Sequence, residues 1–397
     1  MMKKQDEQRL VPKLRFKGFS EDWEQRKLKD ITEMISERNT DNHYQNVFTN
    51  SALHGIINQT DYFDRNIANS TNLTSYYVVH KNNFIYNPRI SSNAPYGPIN
   101  RNKLNQVGIM SPLYLVFENR LASHDFLEYY FFSSKWYKYM LKVGNTGARS
   151  DRYAVKNKDF FNMPIFIPEY DEQCKIGNIL KVLNKTISLH KRKLEVLKVQ
   201  KNIYLNKMFA SKYGVIQLRF KGFTEHWEQR ELGEVFKYEQ PTKYLVTSTD
   251  YSDEYCTPVL TAGQSFILGY TDDTEGIKKA SKTNPVVIFD DFTTGNHYVD
   301  FPFKIKSSAL KILSISDKSY DDYFTFYSLN RIKYSPQNHQ RHWISIFSRI
   351  KVHMPTISEQ VSIGNLLRTI DNMITLHNEK LNKLKSLKQE YLNYLFI

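Results

Sequence analysis

The stretch LRFKGFSEDWEQR at residues 14–26 returns as LRFKGFTEHWEQR at residues 218–230, a shift of 204 positions. A second stretch, EQCKIGNILKVLNKTISLHKRKLEVLK at residues 172–198, returns as EQVSIGNLLRTIDNMITLHNEKLNKLK at residues 359–385, shifted by 187. The segments between them barely match. The chain is a tandem duplication that keeps its frame twice and lets its filling diverge, the pattern expected of one scaffold presenting two different recognition surfaces. Its 397 residues divide into two units of about 200, each the size of a domain plus a helical arm. The second unit is shorter between its repeated markers by 204 − 187 = 17 residues, which predicts truncated loops in the second domain.

From Glu172 onward, Ile176, Leu180, Leu183, Ile187, His190, Leu194, Leu197, Lys201 and Tyr204 follow one another at alternating steps of four and three. That spacing is a coiled-coil seam. Shifted by 187, the same slots hold Ile363, Leu367, Ile370, Ile374, His377, Leu381, Leu384, Lys388 and Tyr391, so the two helices are expected to pack on each other. Each is expected to span about 38 residues, roughly 57 Å at the standard rise, with a helix-starting proline upstream at Pro168 and Pro355. His190 and His377 are read as register-setting polar positions, and Lys201 and Lys388 as snorkelling near the end of the packed zone. Residues 172–212 hold ten Lys/Arg against two Asp/Glu and residues 359–397 five against four, hence +8 and +1. The ordinary reading of the first is a solvated face, although Lys191, Arg192 and Lys193 also suit phosphates or an acidic partner.

The remaining segments mix short β-rich runs with turn clusters. Strands are predicted around Ile85, Tyr114, Ile288 and Ile312, and helices from His124 (HDFLEYYFFSSKWYKYMLK) and Asp321 (DDYFTFYSLNRIKY). An α/β fold with a curved, partly closed sheet is expected in each half. The formal net charge of +14 favours a polyanionic partner, because lysines and arginines that neutralise phosphates release condensed counterions. Only two cysteines occur, Cys174 and Cys256, which leaves no disulfide framework. With no signal-like apolar stretch in MMKKQDEQRLVPK and no long apolar run, the expected location is cytoplasmic, without a membrane partner.

Two loops recur at equivalent places with different sequences, which is where base-reading residues are sought. The first is NPRISSNAPYGPINR at residues 87–101, with DDFTTGNHY at 290–298 as its counterpart. These loops supply Arg89, Ser92, Asn93, Arg101, Thr294, Asn296, His297 and Tyr298 as candidate DNA contacts; the competing reading is a set of turns. The second is GNTGARSDRY at 144–153, with SPQNHQRHW at 335–343, supplying Arg149, Arg152, Gln340 and Arg341. An arginine shared by both halves suits a phosphate, since base readers of two different sequences should differ. Gly144 and Gly147 are expected to let backbone amides approach the nucleic acid. The repeated LRFKGF segment reads as packing, through Phe16, Phe19, Trp23 and Leu28 and their counterparts Phe220, Phe223, Trp227 and Leu232, with phosphate contacts by Arg15, Lys17, Arg26, Arg219, Lys221 and Arg230 as the alternative.

Catalytic motifs do not emerge. Asn87-Pro88 is followed by Arg89-Ile90 and Asn284-Pro285 by Val286-Val287, so neither matches the methyltransferase tetrapeptide of the Asp/Asn-Pro-Pro-Tyr type. No proline precedes an aspartate and no G-x-x-x-x-G-K-[ST] loop is present. No metal site is expected.

Each half opens with LRF-x-GF-x-x-x-WEQR-x-L and closes with P-x-x-x-EQ-x-x-IG-x-x-L followed by a long helix. In this the chain resembles the DNA-specificity subunits of type I restriction-modification systems over nearly its whole length. The resemblance implies two α/β target-recognition domains in tandem, at residues 14–167 and 213–354, after a tail at 1–13. Each is followed by a long helix, at 168–212 and 355–397, and the two helices pack as an antiparallel coiled coil with pseudo-two-fold symmetry. Each domain would read one half of a bipartite sequence in double-stranded DNA, and the helices would set the gap. The partners so implied are two methyltransferase subunits, which bring S-adenosylmethionine and usually methylate adenine, and two restriction subunits, which use ATP and Mg; this chain would bind no cofactor itself. The other reading is a stand-alone DNA-binding or coiled-coil scaffold.

Overall fold

A computed structural model describes residues 9–62, 70–146, 151–211, 213–261, 266–334 and 341–397. Two compact units result, residues 1–191 with 380–397, and residues 192–379. The predicted long helices run over Tyr170–Lys207 and Ile357–Tyr394, 38 residues each. Each unit thus contains a stretch of both helices.

Both units are built on a four-stranded antiparallel sheet with the same strand order. In the first unit the order is Thr32–Met34, Leu115–Asn119, Phe84–Tyr86, Ile99–Arg101. In the second it is Phe236–Glu239, Leu310–Ile315, Val286–Asp290, Asn296–Val299. The central strands are buried on both faces, as their unbroken apolar runs dictate. Side chains alternate across a strand, so each sheet feeds two cores. Phe84, Tyr86 and Phe117 join the helix-side core of the first unit, while Ile85 and Val116 join a second core beneath the hairpin Phe48–Ser51/Gly55–Asn58. Val287, Phe289 and Leu313 repeat the first arrangement, and Val286, Ile288 and Ile312 the second. The second core of unit two lies under strands Thr257–Leu260, Ile267–Thr271 and Lys304–Ile305, where one pairing is parallel.

The helix predicted from His124 is broken. It forms His124–Phe132 and Tyr137–Val143, because the Ser133 hydroxyl bonds to the carbonyl of Tyr130 and the amide of Lys135 bonds to that hydroxyl. Its counterpart, Asp322–Asn330, is capped by the Asp321 carboxylate on the amide of Phe324 at 2.7 Å.

The repeated letters are explained by one joint. WEQR becomes strand Glu24–Lys27, paired with Pro164–Ile167, the strand that leads into the first long helix. In the second unit Glu228–Glu231 pairs likewise with Lys351–Met354. Arg15 forks onto the carboxylate of Glu172 through two bonds of 2.8 Å, and Arg219 onto Glu359 at 2.9 and 2.6 Å. Both glutamates are 0% exposed. The next residue, Gln173, accepts from the amide of Ser123 and donates to the carbonyl of Pro168; Gln360 does the same with Asp321 and Pro355. Packing is therefore the role of the LRF arginines, and the phosphate alternative for Arg15 and Arg219 falls. At Gly177 a β-carbon would lie 2.9 Å from Asp125 Cβ and Phe126 N, and at Gly364 one would lie 1.8 Å from Asp321 Oδ1.

Helix packing runs antiparallel within each unit. In the first, Leu183 and Ile187 meet Leu381, Leu384, Leu387 and Tyr391, while Ile176 and Leu180 share a core with Leu392, Leu395 and Phe396. In the second, Tyr204, Leu205, Met208 and Phe209 meet Ile363 and Leu367. Leu194 and Ile370 are also buried, and Ile374 is half-buried.

Two stability predictions follow from this joint. Arg219→Ala strands a buried carboxylate and is expected to destabilise its unit by about 3–5 kcal/mol, whereas Arg230→Ala, which breaks an exposed pair with Glu228, is expected to cost less than about 1 kcal/mol. Thermal melts showing equal effects would contradict the joint. Gly364→Ala should cost about 1–3 kcal/mol by forcing the helix off the Asp321 cap, and an unchanged melting temperature would show the contact to be compliant.

Candidate nucleic-acid interface

The two loop pairs singled out in the sequence meet in space. In the first unit the amide of Tyr153 bonds to the carbonyl of Pro88 at 2.7 Å and the amide of Ile90 to the carbonyl of Asp151 at 3.0 Å. The resulting antiparallel bridge places Arg89 opposite Arg152. Both side chains are exposed, and among the described residues neither guanidinium pairs with a carboxylate. Ser92 and Asn93 stand exposed at the tip of the turn closed by Ser91 and Ala94. Two exposed arginines on paired backbone, neither of them ion-paired among the described residues, and a polar tip make a surface suited to phosphates and base edges.

Neutral amides set this loop. Asn87 donates from Nδ2 to the carbonyl of Asn50 at 2.9 Å and accepts from the amide of Arg89 at 3.0 Å. Asn50 in turn donates to the carbonyl of Ile85 and accepts from Asn100 Nδ2, both at 2.7 Å. Gly97, at φ +82°, is required here, because a β-carbon would sit 2.0 Å from the carbonyl oxygen of Asn87. Gly144 serves the core instead of nucleic acid: its missing side chain makes room for the ring of Tyr153, 2.4 Å from where a β-carbon would stand.

The second unit makes the same junction with an ion pair. Asp291, in the loop after the buried strand, accepts on its carbonyl from His342 Nδ1 at 2.7 Å and on Oδ1 from the amide of Trp343 at 2.8 Å. Its other oxygen lies 3.3 Å from Lys311 Nζ, both groups being buried. Arg341 therefore projects, exposed, beside the loop at 290–298. Thr294 adopts φ 62° at the turn and is half-buried. Asn296 begins the edge strand, half-buried, and accepts from Asn330 Nδ2 at 2.9 Å. His297 is exposed but stacks on Phe266 with centroids 3.9 Å apart, and desolvation holds its pKa below the ordinary histidine value. Phe292, exposed on the same loop, escaped the sequence reading, which sought hydrogen-bonding side chains.

Two candidates are corrected by strand register. Arg101 lies opposite Phe84 and Tyr298 opposite Val287, so both point with the core residues toward the helix side. Arg101, its side chain 9% exposed, ion-pairs with Asp125 and Glu128, and the Tyr298 hydroxyl donates to Asp322. Both are engaged by carboxylates on the helix side of the sheet. Arg149 and Gln340 lie outside the described residues. Among the described residues no group of three or more His, Cys, Asp or Glu is placed to hold a metal ion, and no helix is long and apolar enough to cross a membrane.

The type I restriction modification DNA specificity domain family matches this chain twice, over residues 20–199 and 224–386. A curated relative, the specificity subunit of the Escherichia coli type I restriction enzyme EcoR124I/EcoR124II, is 46% identical over 170 residues, which cover 41% of this chain and 42% of that protein. The match thus spans about two-fifths of the relative's length. The crystal structure of a type I restriction-modification S subunit from M. genitalium shares the fold, with a TM-score of 0.67 at 15% identity over 98% of this chain and 99% of that one. With the family domain present in both repeats, the chain belongs to the type I restriction-modification DNA specificity family.

Proposed function

We propose that this chain is the DNA-specificity subunit of a type I restriction-modification complex, each unit reading one half of a bipartite sequence in double-stranded DNA. The observation that carries this reading is the junction repeated in both units, where two loops of unlike sequence are clamped together beside exposed arginines on a common sheet. Phosphates would be held by Arg89, Arg152 and Arg341, and bases read by Ser92, Asn93, Thr294 and His297, with Asn296 turned partly inward. The chain itself is non-catalytic in this reading. Methylation belongs to two methyltransferase subunits that carry S-adenosylmethionine, and cleavage to two restriction subunits using ATP and Mg. Family membership favours this over a stand-alone scaffold.

The test is co-expression with the type I methyltransferase subunit of the source organism, followed by mapping of methylated bases; a chain that directs no methylation to a split motif is not a specificity subunit. Exchanging residues 218–354 for those of a relative should change one half of that motif and leave the other intact, and a change in both halves would refute independent reading. Within the first unit, Arg152→Ala should weaken cognate and unrelated duplexes alike and flatten the log–log salt slope by about 0.9. Asn93→Ala should instead cost about 1–3 kcal/mol on the cognate first half-site only. Titrations in which Arg152→Ala relaxes a single base position with the salt slope intact would reverse these assignments.

A further inference from the structure

The seam lysines Lys201 and Lys388, equivalent by the 187-residue shift, meet opposite fates. Lys201 Nζ lies 2.6 Å from Asp371, which also accepts from the hydroxyls of Tyr323 and Tyr327. The position equivalent to Asp371 in the first unit is Asn184, whose Nδ2 donates to the Tyr129 hydroxyl at 3.0 Å. Lys388 therefore lacks the carboxylate that its counterpart has, and among the described residues none lies within ion-pair distance of it. Its ammonium sits 5.7 Å from the centroid of the Phe132 ring.

Lys388 lines a cleft of about 560 Å³ together with Arg101, Lys103, Glu128, Trp136 and Leu53. The anion in this cleft is already spent, since Glu128 is shared by Arg101 and Lys103. Burial lowers the pKa of Lys388, and Lys191 and Lys103 lower it further while Glu128 opposes them. Net positive charge thus lies in a cleft of mixed lining, where Asn93, Asn184 and Gln389 stand beside Phe132, Trp136 and Leu53, the last 71% exposed. A rigid duplex meets cations that protrude. A half-buried ammonium in such a cleft, with an exposed leucine in the same lining, suits a flexible chain carrying a carboxylate next to an apolar side chain.

We infer that this cleft of the first unit seats an acidic segment of the methyltransferase partner, an aspartate or glutamate of that segment pairing with Lys388 and a neighbouring apolar residue covering Leu53. The inference rests on the specificity-subunit reading and deepens it. Because Asp371 already satisfies the equivalent lysine in the second unit, the two methyltransferase copies bind unequally, the stronger and more salt-sensitive contact being made at the first unit.

The experiment measures docking of the methyltransferase on the immobilised full-length chain at several salt concentrations, with duplex affinity of the chain measured in parallel. Wild type should show two unequal affinities. Lys388→Glu should weaken the tighter one by about tenfold or more and remove most of its salt dependence, while Lys201→Met should lower the melting temperature without weakening docking. Should Lys388→Glu fail to fold, Lys388→Met and Leu53→Glu carry the test, and either one docking as wild type overturns the proposal. It is equally overturned if Lys388→Glu leaves docking intact and weakens duplex binding, which would put a DNA phosphate in the cleft. A wild-type chain that captures no methyltransferase overturns the specificity-subunit reading, and this inference with it; capture by wild type with indifferent Lys388 variants overturns the inference alone.

Discussion

Two buried carboxylates, Glu172 and Glu359, govern the architecture. An ionised group out of water must be paired with good geometry, and each is paired by one arginine fork from a segment about 140 or more residues away. That requirement fixes where each domain begins relative to the helix that follows it. Strand Glu24–Lys27 can then close on Pro164–Ile167, and Glu228–Glu231 on Lys351–Met354. The adjacent glutamine and the nearby glycine complete the joint, one by tying down the neighbouring helix start, the other by letting it approach. These demands fall on a handful of side chains, which is why those letters recur in both copies while the sequence between them drifts.

With both ends of a domain fastened at one place, the loops on the sheet are released from holding it together. The two units use this freedom with different chemistry at the same junction. In the first, a buried set of neutral amides around Asn50 holds the loop; in the second, the Asp291–Lys311 pair does so. Neutral amides hold their loop without charge, whereas an ion pair holds its loop by charge in a buried setting that protects it from screening. One scaffold therefore supports two surfaces whose fine structure answers to different forces.

The long helices were legible because their signal is periodic and local: the seam from Ile176 to Leu197 repeats a spacing that only a helix satisfies. The central strands were legible for a related reason, being apolar runs bounded by turn residues. Arg101 and Tyr298 were misjudged because orientation in a strand depends on parity, and a residue at the end of a polar loop changes face with a shift of one. The break at Ser133 depends on side-chain bonds to nearby backbone that compete with the helix, which the aromatic periodicity concealed. The meeting of the two recognition loops is a long-range contact, visible only once the sheet order brings Pro88 and Tyr153 together. No local pattern in either segment records it.

The core of the first unit contains Leu392, Leu395 and Phe396, with Phe396 packed against Phe126 and Tyr130. On the ribosome, residues 1–191 emerge first, yet their apolar face waits for a segment synthesised after the whole of residues 192–379. The unit begun first is thus finished last, and the second unit can close while the first is still open. During that interval Phe126 and its neighbours form an uncovered patch of the kind that chaperones bind and that aggregates at high concentration. Translation arrested near residue 380 would leave a chain with one completed unit and one sticky, unfinished one. Elongation speed through the second half is thereby coupled to the folding yield of the first.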